Sequence, residues 1–204
     1  MNLETRLAEG LRTLGLSDTE RLVEASLHFQ ALLLKWNKVT NLTAITSPEQ
    51  VITHHLLDAF AVDPYITGHT ILDVGSGGGI PGIPLALANP DKDFILLDPN
   101  GKKTRFMTQA KIELELTNVV VIQARVEDHT GQYDQVISRA FRQVAGFVDS
   151  CARLVRSGGS LLAMKGPDYE DEVAQLAELR NRIQTIDLAV PGLNASRYLI
   201  RISC

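Results

Sequence analysis

The segment ILDVGSGGGIPGIPLA, residues 71–86, sets an apolar run, an acid and a group of glycines in immediate succession. An apolar run followed by a glycine-rich turn and a second apolar stretch is the pattern of a strand-to-helix unit in an α/β sheet. Gly75, Gly77 and Gly79 let the chain turn sharply and let a ligand lie directly on backbone. The glycines alone say little about which ligand. The dinucleotide fingerprint asks for a third glycine where this chain has Ile80, although Gly82 lies close by.

Downstream, short apolar runs at 70–74, 93–97, 118–123, 135–137 and 160–164 alternate with stretches of helical length. That alternation predicts a doubly wound α/β domain with a parallel sheet covered on both faces. The runs at 183–189 and 197–202 are separated only by a Pro191-Gly192 turn region, too short for a crossover helix, so they are predicted to pair antiparallel. Upstream the chain reads as helical. Leu3, Leu7, Leu11 and Leu14 recur at helical spacing until Gly15. Ser17 and Glu20 have capping-box spacing for a second helix that carries Leu22, Phe29, Leu33 and Trp36 on one side. Ser47, Pro48 and Gln50 restart a third, with Val51, Ile52, Leu56 and Phe60 as its apolar residues. The expected organisation is a helical extension over 1–66 and an α/β domain over 67–204, packed as one unit.

The 204 residues are 45% apolar and 22% charged, the balance of an ordinary globular domain. No apolar run approaches the ~20 residues of a membrane span, and Glu4 and Glu9 replace the basic start of a secretion signal, so a cytoplasmic protein without a membrane partner is expected. Cys151 and Cys204 have no metal-ligand spacing and read as inert thiols. With a net charge of -4, any nucleic-acid partner must be met by a local basic patch. Residues 100–111 supply one in Lys102, Lys103, Arg105 and Lys111 with no acid, which is either a solvated helix face or a phosphate-binding surface. His54 and Asp58, four apart, read as a buried histidine bonding an acid rather than half a metal site; no further ligand cluster supports a metal. Trp36 falls on the apolar stripe, and core packing is favoured for it over stacking on a base.

The acids narrow the ligand. Asp73, at the strand end, would repel a diphosphate and attract the sulfonium and ammonium of S-adenosylmethionine. Asp98 closes the second run about twenty residues past the glycines, the offset at which a carboxylate accepts from ribose hydroxyls. Purely structural readings stay open for both: a loop-bonding acid for Asp73, a cap or turn residue for Asp98.

The stretches KWNKVTNLTAI (35–45), HHLLDA (54–59), the glycine segment itself, FILLD (94–98) with GKKTRF (101–106), ARVED (124–128) and VISRAF (136–141) closely resemble the bacterial ribosomal RNA small subunit methyltransferase G family, also called glucose-inhibited division protein B. The resemblance runs in order along nearly the whole chain. It implies a class I S-adenosylmethionine-dependent methyltransferase fold, Rossmann-like, with a C-terminal antiparallel strand. It also implies an enzyme that methylates N7 of a guanine, number 527, in 16S ribosomal RNA within the small ribosomal subunit; a monomer without a metal is expected. Carried over onto this chain, the cofactor contacts fall on Gly75 and Ile80, on Val126 and Glu127, and on Arg139, beside Asp73, Gly77 and Asp98 from the residue reading. Arg139 is the candidate catalytic residue, and Lys102, Lys103, Arg105 and Lys165 are the candidate RNA contacts.

Guanine N7 presents an unshared pair in the ring plane, so the transfer needs no general base. Where amino-group methyltransferases carry an Asn/Asp-Pro-Pro-aromatic motif, this chain has Ser138-Arg139-Ala140-Phe141. Catalysis is then expected to be mostly alignment, worth up to ~7 to 11 kcal/mol in well-oriented systems. Two other classes remain as alternatives: a small-molecule methyltransferase using residues 1–66 as a lid, and a nicotinamide-dependent oxidoreductase, which Asp73 and the lack of a catalytic pair disfavour.

Overall fold

The computed structural model describes residues 2–139, 141 and 143–204; Ala140, part of the Ser138 to Phe141 tetrapeptide, lies outside the described residues. Helix α1 (Leu3–Thr13) is capped by Asn2, whose side chain accepts from the Thr5 amide at 2.7 Å, and it ends where Gly15 takes the left-handed conformation. Helix α2 (Thr19–Thr40) does not start with the expected Ser17 capping box. Asp18 stands at the cap position with φ +51 and makes no side-chain cap bond, because its carboxylate is taken by the Arg21 side chain. The third helix starts as read: Ser47 accepts from the Gln50 amide at 3.4 Å, and α3 (Pro48–Val51) runs on through a π-helical stretch, Ile52–Leu57, into α4 (Asp58–Phe60).

Seven strands follow: β1 (Thr70–Val74), β2 (Asp93–Leu97), β3 (Val119–Ile122), β4 (Tyr133–Arg139), β5 (Val155–Lys165), β6 (Ile183–Asp187) and β7 (Tyr198–Ser203), in the sheet order β3-β2-β1-β4-β5-β7-β6. The first five are mutually parallel, and β7 lies antiparallel to both β5 and β6. The predicted C-terminal pair is therefore present, but β7 inserts itself between β6 and the parallel strands. The connections carry α5 (Gly82–Ala88), α6 (Gly101–Glu113), α7 (Val144–Cys151) and α8 (Glu170–Ala174). One expected helix is missing. Between β3 and β4 there is only a 3-10 turn, Val126–Asp128, and the chain returns largely in extended form.

Side chains alternate across β1, so Ile71 joins the core under α1 to α6 while Leu72 and Val74 join the core under α7. The helices before β1 are thus part of the main core: Leu7, Leu11, Phe29, Leu33 and Phe60 pack in one cluster with Ile71, Ile83, Leu96 and Ile137 of the α/β domain. Each such fully buried side chain contributes roughly 1.5–3 kcal/mol. The strand order reverses between β1 and β4, which opens a crevice beyond their carboxyl ends. Asp134 fixes this pair at the other end. Its carboxylate accepts from the His69 and Thr70 amides at 2.9 and 2.8 Å and pairs with Arg156 at 2.8 Å, interactions that hold its pKa down at about 2.

Candidate cofactor and substrate site

The glycine loop leaves β1 at the switch point and folds on itself. Gly75 and Ser76 donate to the Leu97 carbonyl, Gly77 donates to Asp98 Oδ2 at 2.9 Å, and Gly79 and Ile80 donate to the Ser76 carbonyl. Gly75, Gly77 and Gly79 have φ of +71, +59 and +75, which an L side chain adopts only with strain. A Cβ on Gly75 would meet only Phe141 at 3.5 Å, so the space above the loop is an open cradle in which backbone faces a ligand. The amides of Gly75, Ser76, Gly77, Gly79 and Ile80, however, are already satisfied from within, and that of Gly82 is taken by Asp73. A diphosphate needs a set of free amides at the helix start and finds most of them engaged, whereas a cofactor without phosphate fits.

Asp73 is placed differently from expectation. Strand alternation points it away from the crevice and beneath α5, where it is 0% exposed and accepts from the Gly82 amide at 3.0 Å through Oδ2; among the described residues Oδ1 makes no hydrogen bond. The carboxylate itself therefore sits at the start of α5, the place a dinucleotide's phosphates would claim, and the sequence-based picture of it facing a sulfonium is replaced by the loop-bonding one. Burial pushes its pKa up to about 7, against the opposing pull of the Gly82 amide. A folded-state value above the unfolded 3.8 means that the native form holds a proton which the unfolded chain releases. This contribution to stability is full below pH 3.8 and is lost as pH rises through about 7. The thermal midpoint of the wild type is expected to fall with pH across that window relative to Asp73→Asn; parallel pH curves for the two proteins would refute this origin.

Asp98 lies at the end of β2, 3% exposed, and its two oxygens accept from the Gly77 and Asn100 amides, both at 2.9 Å. Lys103 approaches it at 3.8 Å. The acid thus ties the glycine loop to the start of α6, the turn role left open for it above. Ile80 is 5% exposed and its side chain packs in the main core, so it offers a ligand little apolar surface. Val126 is likewise buried, while Glu127 next to it is exposed, and Arg153 grips the carbonyls of both.

Arg139 ends β4 at the crevice, and its partners come from the helical extension. Nη1 donates to the His54 carbonyl at 2.9 Å, to His55 Nδ1 at 3.1 Å and to Asp58 Oδ2 at 3.4 Å. A guanidinium cannot accept, so the Arg139 contact calls for a bare Nδ1, whereas the His54 carbonyl, 3.0 Å from the same nitrogen, calls for a proton there; Nε2 lies 2.7 Å from Thr43 Oγ1, so both ring nitrogens are engaged. Burial and the neighbouring guanidinium push His55 down to about 4, which keeps it neutral. Asp58 is 2% exposed and also accepts from Arg197 Nε at 3.0 Å. Burial pushes its pKa up, and the two guanidiniums oppose that shift.

The expected His54–Asp58 pair does not form, because the π-helical stretch winds i→i+5 and turns the two residues apart; His54 Nδ1 instead contacts the Gln50 carbonyl. Residues 41–46 link this region to the loop. Asn37 bonds both backbone groups of Thr43, and Leu42 lies against Gly78. Sequence reasoning missed His55, Thr43 and Arg197. Thr43 lies inside the KWNKVTNLTAI stretch, but nothing local marks Arg197, which meets Asp58 from 139 residues away.

The four candidate RNA contacts separate into two places. Lys102 and Arg105 are exposed on α6 beside Lys103, whereas Lys165 ends β5 and pairs with Glu172 at 2.7 Å. Trp36 packs against Phe106 at 5.9 Å between ring centroids, in line with core packing. Among the described residues no three His, Cys, Asp or Glu side chains come together, and no helix is long and apolar enough to cross a membrane.

The geometry agrees with relatives of known class. Magnesium protoporphyrin IX methyltransferase from Synechocystis PCC 6803, solved with bound SAM, superposes with a TM-score of 0.62 over 86% of this chain and 97% of its own at 15% identity. That likeness establishes the class I methyltransferase fold. The ribosomal RNA small subunit methyltransferase G of Chromohalobacter salexigens is 47% identical over 200 residues, covering 98% of this chain and 96% of its own length. The protein of that name from Azoarcus sp. (strain BH72) is 49% identical, covering 97% and 95%. The family model for rRNA small subunit methyltransferase G matches residues 23–200. With its glycine loop, switch-point crevice and β4 arginine in one continuous match, the chain belongs to the ribosomal RNA small subunit methyltransferase G family.

Proposed function

We propose that this protein, an S-adenosylmethionine-dependent ribosomal RNA methyltransferase by family, methylates N7 of guanine 527 in 16S RNA, acting in the cytoplasm as a monomer on the small ribosomal subunit. S-adenosylmethionine, when bound, supplies the electrophilic methyl group. Gly75 and Gly77 let it lie on backbone, and Asp98 holds the loop in that shape. The observation that carries the N7 assignment is the state of the two nominal bases beside Arg139. His55 has both ring nitrogens engaged, Nδ1 by Arg139 and the His54 carbonyl and Nε2 by Thr43, and Asp58 is shared between two guanidiniums, so neither is free to take a proton. A nucleophile that already has its lone pair needs neither; an exocyclic amine needs one. Arg139 then serves to orient the base, and Val126 and Glu127 flank the place for the adenine.

The partner follows from charge. A protein of net charge -4 with a small basic patch at Lys102, Lys103 and Arg105 binds bare RNA weakly and loses that binding steeply with salt. Assembled small subunits are therefore expected to accept methyl groups at least tenfold faster than protein-free 16S transcript near physiological salt; equal incorporation would refute the particle as substrate. Mapping N7-methylguanine in small-subunit RNA from cells with and without the protein tests the assignment. A mark that persists in the deletion strain, or transfer to metabolites instead of RNA, would sink it.

A further inference from the structure

Next to the crevice a cavity of about 370 Å³ opens between the helical extension, the ends of β4 and β5 and the start of β7. Two guanidiniums line it, held on opposite oxygens of one carboxylate: Arg139 on Asp58 Oδ2 at 3.4 Å and Arg197 on Oδ1 at 3.0 Å. Asp58 is 3% exposed at its side chain, while the arginines keep 22% and 24%. One carboxylate neutralises one guanidinium. Lys165 is matched by Glu172, and His55 is neutral, so among the described residues lining the cavity one positive charge is left over. Among the described residues Arg197 uses Nε and Nη1 in its bonds, and Nη2 makes none. An anion completes this arrangement.

We propose that the cavity seats a phosphodiester of the RNA substrate, that Arg197 contacts it, and that Asp58 is a positioning residue that holds the two guanidiniums side by side. The proposal rests on the reading of RNA as substrate. A cofactor carboxylate is the competing anion, and the layout argues against it. Arg139 ends β4 at the crevice, whereas Arg197 sits on the other oxygen of Asp58 and reaches toward Gly166 beyond β5, 3.9 Å from a Cβ there. The volume holds one nucleotide-sized group, as needed for a base drawn out of folded RNA with its phosphate attached.

The test uses full-length protein carrying Arg197→Gln and small ribosomal subunits lacking the methyl mark, with transfer kinetics measured over a series of KCl concentrations and S-adenosylmethionine affinity measured by calorimetry. KM for the subunit is expected to rise about tenfold, with kcat and cofactor affinity within twofold. The slope of log KM against log salt is expected to drop by about one. Arg197→Lys, which keeps the charge, should retain the slope. Asp58→Asn should raise KM and alter the salt slope as well, with Asp58→Glu partly restoring both; a merely structural Asp58 would lower the melting temperature and leave the slope alone. A fall in cofactor affinity for Arg197→Gln would assign the cavity to the cofactor and overturn the proposal. Inhibition by inorganic phosphate that Arg197→Gln relieves, with the subunit KM unchanged, would overturn it in favour of a free-anion site. If the wild type transfers no methyl to RNA, the substrate reading itself has failed; if it does and Arg197→Gln changes neither KM nor slope, only this proposal has.

Discussion

Arg139→Ala is expected to lower methyl transfer to the small subunit by about 100-fold or more while leaving a folded protein, the scale on which loss of a positioned charged group or a displacement of about 1 Å acts on rate. The side chain ends β4 at the crevice and is fixed through Nη1 by three contacts with a single segment, the His54 carbonyl, His55 Nδ1 and Asp58 Oδ2. A group so constrained is preorganised. The fold survives because Asp58 keeps Arg197 and is not left as an isolated buried charge. The stability loss should therefore stay near 1–2 kcal/mol, the range for a charged hydrogen bond, rather than that of an orphaned ion. Arg139→Lys should recover little, since all three contacts fall on Nη1 and an ammonium placed there leaves no further N–H groups of a planar fork to present to the base. Single-turnover rates at saturating cofactor and subunit, with melting curves alongside, check this; a variant at more than a tenth of the wild-type rate would remove Arg139 from the reacting centre.

Gly82→Ala should have the largest effect on stability. Gly82 opens α5 against the sheet, and an added Cβ would lie 2.2 Å from Leu96 Cδ2 and 2.8 Å from Asp73 Oδ2. Leu96 is fully buried in β2 and Asp73 fully buried in β1, so neither can withdraw without moving its neighbours. Overpacking of this kind destabilises by about 3 kcal/mol. For a chain of this size that is roughly 6–12 °C in melting temperature. The same shift pries Gly82 from Asp73 and loosens the turn that carries the cofactor cradle, so cofactor affinity should fall as well. Denaturation with and without S-adenosylmethionine measures both; a melting temperature within 2 °C of wild type would show that α5 can move off the sheet freely.

Much of this architecture was legible in the chain because it is written in short-range periodicity. The positions of β1, β2 and β3, the helix stop at Gly15 and the Ser47 cap all follow from burial patterns or caps that span only a few residues. The helix expected between β3 and β4 failed for a related reason. A stretch of suitable length was read as helix, although it holds only the 3-10 turn at Val126–Asp128. The Ser17 cap failed because Asp18 and Arg21 bind each other, a competition that spacing alone does not reveal.

The site was legible in its parts and not in their assembly. Gly75, Gly77 and Arg139 could be placed at strand ends from sequence, and the family resemblance drew them together. What faces what was decided by the sheet. Alternation along β1 turned Asp73 inward under α5, and the π-helical winding of 52–57 separated His54 from Asp58. Asp58 found its partners 81 and 139 residues away, in Arg139 and Arg197, only because β7 comes in antiparallel beside β5. The sequence by itself determined where most of the strands and helices lie, the β3–β4 connection and the start of α2 excepted, since those states depend mainly on neighbours along the chain. Which charges meet in the crevice depends on strand order and on the direction each side chain leaves its element, and only the tertiary structure decides those.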